Sequence, residues 1–277
     1  MFFLISAIFS SAMVSIGMRL SEGKIKNNLA MLVMNYGMCT LLSALYAGGE
    51  LLEIGPGLYL TAGFGVVNGL FYLAGFVLLQ VSVRRNGVVL SSTFMKLGLL
   101  VTLGVSVLIY GEMPTISQGL GFLLAVGAIV LINSKGQKQT GSFRIGLIGL
   151  LFFGGMADAM SKIFEESGVP GMGDSFLLFT FLTAGVLCAV MMGAKDRCFG
   201  KNEVIFGLLV GIPNFFSSKF LLRSLSDIAA VVAFPAYSVG GILVVTLAGV
   251  LVFRERLAKG QWVALGLILL ALVLLNR

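Results

Sequence analysis

The sequence predicts an all-α integral membrane protein of ten transmembrane helices arranged as two inverted five-helix repeats. Three observations lead there: a composition too apolar for water, ten apolar runs of spanning length, and self-similarity between the two halves. Of 277 residues, 58% are hydrophobic and 11% charged, with a mean hydropathy of +1.03. A soluble domain carries about 25% charged residues and about 45–50% apolar ones. This chain therefore lacks the polar surface to stay in water. It also has no histidine, which excludes a Ser-His-Asp triad, a histidine-ligated metal and a histidine proton relay.

A helix needs about 20 mainly apolar residues to cross a hydrocarbon core of about 30 Å. Charge-free runs occupy 1–18, 27–49, 54–83, 113–134, 175–194, 228–253 and 260–276. Single ions interrupt the other three: Lys96 in 86–111, Asp158 in 145–161 and Lys219 in 204–222. Inside lipid every backbone amide must be satisfied within the segment or in a closed barrel, and solid runs without two-residue alternation select helices. The first run has no basic segment before it, so it reads as a retained span rather than a cleaved signal. The connections are short and polar. Cys39 and Cys188 fall within spans and Cys198 in a loop, which reads as small apolar packing rather than a disulfide framework.

Ten spans put both termini on one face. Fourteen of the 19 lysines and arginines fall on the opposite face, from Arg19, Lys24 and Lys26 through to Lys259. The terminal face holds Lys162, Arg223 and Arg277. The positive-inside rule then places both termini outside, in a bacterial inner or plasma membrane. The +7 net charge accordingly reflects topology, and no nucleic-acid partner is expected.

Shifting the chain by 143 residues overlays it partly on itself. Met13 falls on Met156, Arg19 on Lys162, Gly98 on Gly241, and YGEMPTISQG (110–119) on FRERLAKGQW (253–262). That last overlay matches Glu112 to Glu255 and Gln118 to Gln261. A three-residue slip also brings Gly65 and Asn68 onto Gly211 and Asn214. Five helices per half is an odd number, so the second half is inverted, a device of alternating-access transporters. The predicted halves are 1–134 and 143–277, joined by a linker at 135–142. A duplicated scaffold that does not transport is the blander reading.

With those residues in view, the chain resembles the EamA-type transporters of the drug/metabolite transporter superfamily. The segments that carry the likeness are IYGEMPTISQGLGFLLAVGAIVLIN (109–133) and VFRERLAKGQWVALGLILLALVLLN (252–276). The resemblance implies a cavity lined by helices 1–4 and 6–9, with helices 5 and 10 peripheral. It implies substrates among amino acids, metabolites, vitamins, nucleotide sugars or drugs. One departure is the second motif, Phe253-Arg254-Glu255, which lacks the glycine that precedes Glu112.

An ionisable residue within the membrane costs about 2.5–3.5 kcal/mol on insertion scales, so each needs a partner, water or a task. Asp158 and Lys219 lie about two-thirds along helices 6 and 8, which run the same way, so pairing between them is expected. That pair is either a structural lock or a titratable switch in which protonation of Asp158 biases a two-state gate. Lys96, near the middle of helix 4, is then left over as a net positive charge. The resemblance points the same way, because relatives with phosphorylated substrates use lysines in that region. A carboxylate- or phosphate-bearing ligand, or a zwitterion bridging Lys96 and Asp158, fits; snorkelling of Lys96 is the alternative.

Further candidates share helix faces. Asn68 and Tyr72 are four apart on helix 3, and Asn214 and Ser218 on helix 8 beside Pro213. Tyr237 and Ser238 follow Pro235 on helix 9, where a freed carbonyl is tolerated if it lines a cavity. The repeat places Asn68 opposite Asn214 as either a binding pair or interhelical packing bonds. Asn35 and Tyr36 are weaker candidates. Arg19, Lys162 and Arg223 read as snorkelling helix ends. Glu112 and Glu255 read as caps of the helices that follow them.

The predicted function is a secondary or exchange transporter of a small polar metabolite, with the lipid bilayer, the substrate and protons as partners and Asp158 as coupling residue. No Walker-type phosphate loop occurs, so ATP does not act on this chain directly. Export of lipophilic cations is the rival within the superfamily; there a first-helix carboxylate works, whereas Ser15 stands at the equivalent of Asp158. An enzyme would need paired acids or a nucleophile with a base, and none is expected, nor any cofactor or metal. A non-transporting assembly protein is the third class.

Overall fold

The computed structural model describes residues 1–21, 23–52, 54–86, 91, 94–133, 144–195, 199–251 and 259–275. These are helical throughout apart from short connections, and no strand occurs among the described residues. The helices are α1 (Phe2–Ser21), α2 (Asn28–Tyr46), α3 (Pro56–Asn86), α4 (Leu99–Leu108), α5 (Ile116–Asn133), α6 (Arg144–Ser167), α7 (Gly173–Lys195), α8 (Lys201–Leu225), α9 (Ala230–Leu251) and α10 (Lys259–Leu275). Seven of them, α1–α3 and α6–α9, contain stretches long and apolar enough to cross a membrane. Phe94–Leu108, Ile116–Leu131 and Trp262–Leu275 are shorter apolar helices.

Local chemistry explains several boundaries. Asn27 is extended and its side chain accepts from the N–H groups of Leu29 and Ala30, capping α2. Thr115 and Gln118 form a reciprocal capping box at the start of α5, with bonds of 3.0 and 3.2 Å; it satisfies two donors that a helix start leaves open. Gly111 turns the chain after α4 at φ 68°, and Gly171 turns it before α7 at φ 85°. Both are backbone angles that a side chain disfavours.

Outward faces are apolar and helical in spacing. Phe2, Ile5, Phe9 and Met13 are exposed along α1, Ile145, Ile148 and Phe152 along α6, and Leu182, Val186 and Val190 along α7. Stripes of this size would be a liability in water and are ordinary against acyl chains. Such apolar helices fit a multi-pass membrane protein.

The chain divides into two units. The first comprises Met1–Leu73 and Met160–Ser226, the second Ala74–Ala159 and Asp227–Arg277. Each draws on both sequence halves. In the first unit α8 packs against both α1 and α2, and α2 against α7. In the second α5 packs on α10 and α4 on α9, around a core of Leu99, Ala125, Ala128, Ile129, Val239, Ile268 and Ala271.

Close crossings use missing side chains. A Cβ on Gly65 would lie 2.9 Å from the Phe176 carbonyl oxygen, and one on Gly69 2.7 Å from that of Thr180, so α3 lies directly on α7. On α8, Gly207 and Gly211 approach the carbonyls of Met31 and Asn35 of α2 in the same way, at 2.6 and 2.8 Å. Small residues four apart allow this backbone contact, which drives helix association where lipid offers no hydrophobic gain.

Candidate functional site

The second unit holds Lys96 and Asp158, both half-buried and within Coulombic range of each other. Their meeting follows from a glycine crossing one turn away. A Cβ on Gly155 of α6 would sit 2.3 Å from the Gly98 carbonyl oxygen, and one on Gly98 2.8 Å from the Gly155 nitrogen. The two backbones touch, which brings the side chains two residues before Gly98 and three after Gly155 together. At the same place the chain leaves the α pattern: residues 97–98 form a turn. Gly98 donates to Met95, Leu100 to Leu97 and Val101 to Gly98, at 3.1, 2.9 and 2.8 Å. Such i to i−3 bonding in mid-helix marks a tightened segment and often a hinge. Tyr237 and Ser238 are half-buried on α9 of the same unit, after Pro235.

The first unit corrects the expected pairing of Asp158 with Lys219. The Lys219 ammonium donates to both carboxylate oxygens of Asp174, at 2.7 and 2.8 Å, and lies 3.7 Å from the centroid of Tyr46. The reason is helix length. Helix α8 runs on to Leu225, so Lys219 stands six residues from its end, whereas Asp158 is nine residues from the end of α6 at Ser167. Asp174, in the first turn of α7, meets α8 near that end. Asp174 also removes the leftover positive charge: Lys219 is balanced by Asp174, as Lys96 has Asp158 within its own unit.

Asn68 and Asn214 do not bond one another. Asn68 is 1% exposed, and its amide donates to Thr180 of α7 at 3.4 Å; its Oδ1 has no partner among the described residues. The Asn214 amide donates to Asn35 of α2 at 3.3 Å. Each asparagine stands three residues after the glycine at its crossing, so both act as interhelical bonds beside close backbone contact. Tyr72 meets Phe181 edge-on at 6.2 Å, and Tyr36 stacks on the same ring at 6.3 Å. Ser218 is half-buried beside Lys219.

Two other expectations change. Lys162 is 3% exposed and ion-paired with Glu166, one turn along α6, rather than snorkelling. Glu112 accepts from the Val231 N–H at 3.2 Å, so it serves the start of α9 and not α5; the Thr115–Gln118 box already occupies α5. Glu255 lies outside the described residues. Arg223 is exposed, with its guanidinium 6.0 Å from the Phe3 ring. Arg19 is exposed at its helix end.

Sequence reasoning passed over Asp174 because it reads as a loop ion, and Glu203 for the same reason. Glu203 accepts from the N–H groups of Lys26 and Asn27 at 2.6 and 3.3 Å, tying the start of α8 to that of α2. A cavity of about 600 Å³ also lies in the first unit, lined by residues including Phe164, Glu165, Asp174, Lys219, Phe220 and Arg223.

No family model matches the chain. An uncharacterized protein of Haemophilus influenzae is 28% identical over 203 residues, covering 71% of this chain and 69% of that protein. A solved structure, described only as the crystal structure of a protein, superposes with a TM-score of 0.78 at 12% identity, covering 99% of this chain and 94% of that one. That likeness is one of fold.

Proposed function

We propose that this chain is a secondary transporter or exchanger that moves a small polar metabolite, amino-acid-like or otherwise zwitterionic, by alternating access. The observation that carries the reading is the Lys96–Asp158 pair at the Gly98–Gly155 crossing, beside a break in the helix that contains Lys96. Ionisable residues within a membrane are costly unless they serve a path or a partner, and a tightened helix beside them supplies a place to bend. A zwitterion presents a carboxylate to Lys96 and an ammonium to Asp158, giving each a partner of opposite charge. With Lys219 balanced by Asp174, the positive excess that favoured a simple anion is gone, and the zwitterion is the better fit.

The packing partners support two inverted five-helix repeats, 1–134 and 143–277, and with them the EamA-type resemblance. Exchanging halves turns α2 on α8 into α7 on α3, and both contacts use a glycine with an asparagine three residues later. It turns α1 on α8 into α6 on α3, where a Cβ on Gly75 would lie 3.6 Å from the Gly154 nitrogen. The contacts α2–α7, α4–α9 and α5–α10 map onto themselves. The reading is non-enzymatic, in a bacterial inner or plasma membrane with both termini outside, and Asp158 serves as the proton-coupling group.

The test is ligand-induced thermal stabilisation of the purified protein with amino acids, organic acids, nucleosides and quaternary amines, followed by uptake into proteoliposomes. Stabilisation by zwitterions that is lost in Asp158→Asn supports the assignment. Stabilisation by cationic amphiphiles alone refutes it. A chain that neither binds nor moves any class is the assembly protein instead.

A further inference from the structure

The cavity of the first unit takes no part in the proposed transport site, and its described lining includes neither Lys96 nor Asp158. Its volume of about 600 Å³ falls in the range of small-molecule pockets, about 300–1,000 Å³. The walls are aromatic and aliphatic, with Phe164, Phe220 and Leu177 among them. The charged lining is Glu50, Glu165 and Asp174 against Lys219 and Arg223, so carboxylates exceed cations by one.

The lining's own ammonium, that of Lys219, shows how one is held at the cavity's edge, with two rings, those of Tyr46 and Phe215, that stand outside the described lining. The Lys219 head sits between both oxygens of Asp174, at 2.7 and 2.8 Å, and the rings of Tyr46 and Phe215, at 3.7 and 5.8 Å. These rings are fixed in advance. Tyr46 stacks on Phe215 at 5.5 Å and meets Phe216 edge-on at 6.3 Å, and Phe216 stacks on Phe220 at 5.6 Å. The carboxylate is equally set, because Glu50 accepts from the Ser175 N–H at 2.8 Å and ties the start of α7 in place. A carboxylate facing an aromatic wall is the arrangement that recognises organic cations. The pair is also reachable, with side chains 24% exposed for Lys219 and 20% for Asp174.

We propose that this cavity is a binding site for an organic monocation, an ammonium head on an apolar or aromatic body, whose head takes the place now held by the Lys219 ammonium. Lys219 is then a tethered occupant. It competes at the high effective concentration of an intramolecular group, of millimolar order for a short tether, and a ligand must displace it. The remaining carboxylates and the phenylalanine walls favour a cation with an apolar tail over an anion of the same shape. The site is independent of whether the chain transports.

The test uses the full-length protein in micelles and the matched probes 2-phenylethylammonium and phenylacetate, with affinity measured by equilibrium dialysis. Lys219→Met should raise the affinity for the ammonium at least tenfold. Adding Asp174→Asn to that variant should cancel the gain, and phenylacetate should bind neither protein. A Lys219→Met protein that binds the ammonium no better than the unmodified chain overturns the proposal, as does equal binding of phenylacetate. Loss of binding on adding Asp158→Asn also overturns it, by moving the site to the second unit. Should Lys219→Met fail to fold, Glu165→Gln in the otherwise unmodified chain decides. Affinity for the ammonium should fall about threefold, and an unchanged value refutes the site.

Discussion

Gly155→Ala is the smallest change that probes how Lys96 and Asp158 are brought together. The added methyl would lie 2.3 Å from the Gly98 carbonyl oxygen and 2.7 Å from the Val101 Cβ. Neither neighbour is the far end of a flexible side chain, so the helices must separate by about 1 Å to reach ordinary contact. Overpacking of this kind costs about 1–3 kcal/mol. Alanine regains about 1 kcal/mol of helix propensity over glycine, so the net effect is a loss of up to about 2 kcal/mol, and about 1–3 kcal/mol relative to an unobstructed glycine-to-alanine change. Gly127→Ala is the control, because a Cβ there meets nothing within 4 Å; propensity alone acts, and stability is unchanged or rises by up to about 1 kcal/mol. Thermal unfolding in micelles, followed by circular dichroism, separates the two. At about 2–4 °C per kcal/mol for a chain of this class, Gly155→Ala should melt several degrees below Gly127→Ala, which should melt no lower than the unmodified chain. A Gly155→Ala protein as stable as Gly127→Ala refutes the backbone contact at this crossing.

Other perturbations read separate parts of the structure. Asp174→Asn and Lys219→Met should each destabilise by about 2–4 kcal/mol, because a mostly buried charge loses its partner. The double variant should cost less than the sum, a coupling that a double-mutant cycle in chemical unfolding detects. Thr115→Ala should remove the α5 cap at a cost of about 1 kcal/mol, visible as faster hydrogen exchange of the first-turn amides. Thr180→Val should cost only about 0.6 kcal/mol, the usual worth of an interhelical bond in a membrane protein, measured by the same unfolding assay. A larger loss there would mean that Asn68 has more to do than pack α3 on α7.

The helical runs were legible because lipid leaves the backbone one economical choice, and apolar length alone marks it. Seven stretches of spanning length fall where the sequence places runs, and α4, α5 and α10 appear as shorter apolar helices. The crossing glycines were legible only in part. Gly65 with Asn68 and Gly211 with Asn214 stood out as a repeated spacing, but spacing does not say which helix lies opposite. It paired the two asparagines with each other, where the structure pairs them with Thr180 and Asn35. The ion pairs failed for a related reason. Depth was counted from where apolar runs stop, whereas α6 continues farther past its run than α8 does, which leaves Lys219 nearer than Asp158 to its helix end, where Asp174 meets it. Asp174 itself was hidden by its class, since an ion beside a turn glycine looks like any solvated loop charge. A rule that pairs each intramembrane lysine with acids in the first turn of neighbouring helices would have found it.

The central claim, that Lys96 and Asp158 form the transport site, is tested most directly by counterflow in proteoliposomes loaded with unlabelled amino acids. The unmodified chain should accumulate external labelled zwitterion saturably. Lys96→Met and Asp158→Asn should each reduce accumulation at least tenfold while keeping the unmodified chain's elution profile and melting behaviour. Accumulation in those variants equal to that of the unmodified chain, or accumulation by the unmodified chain no greater than in protein-free vesicles, would contradict it.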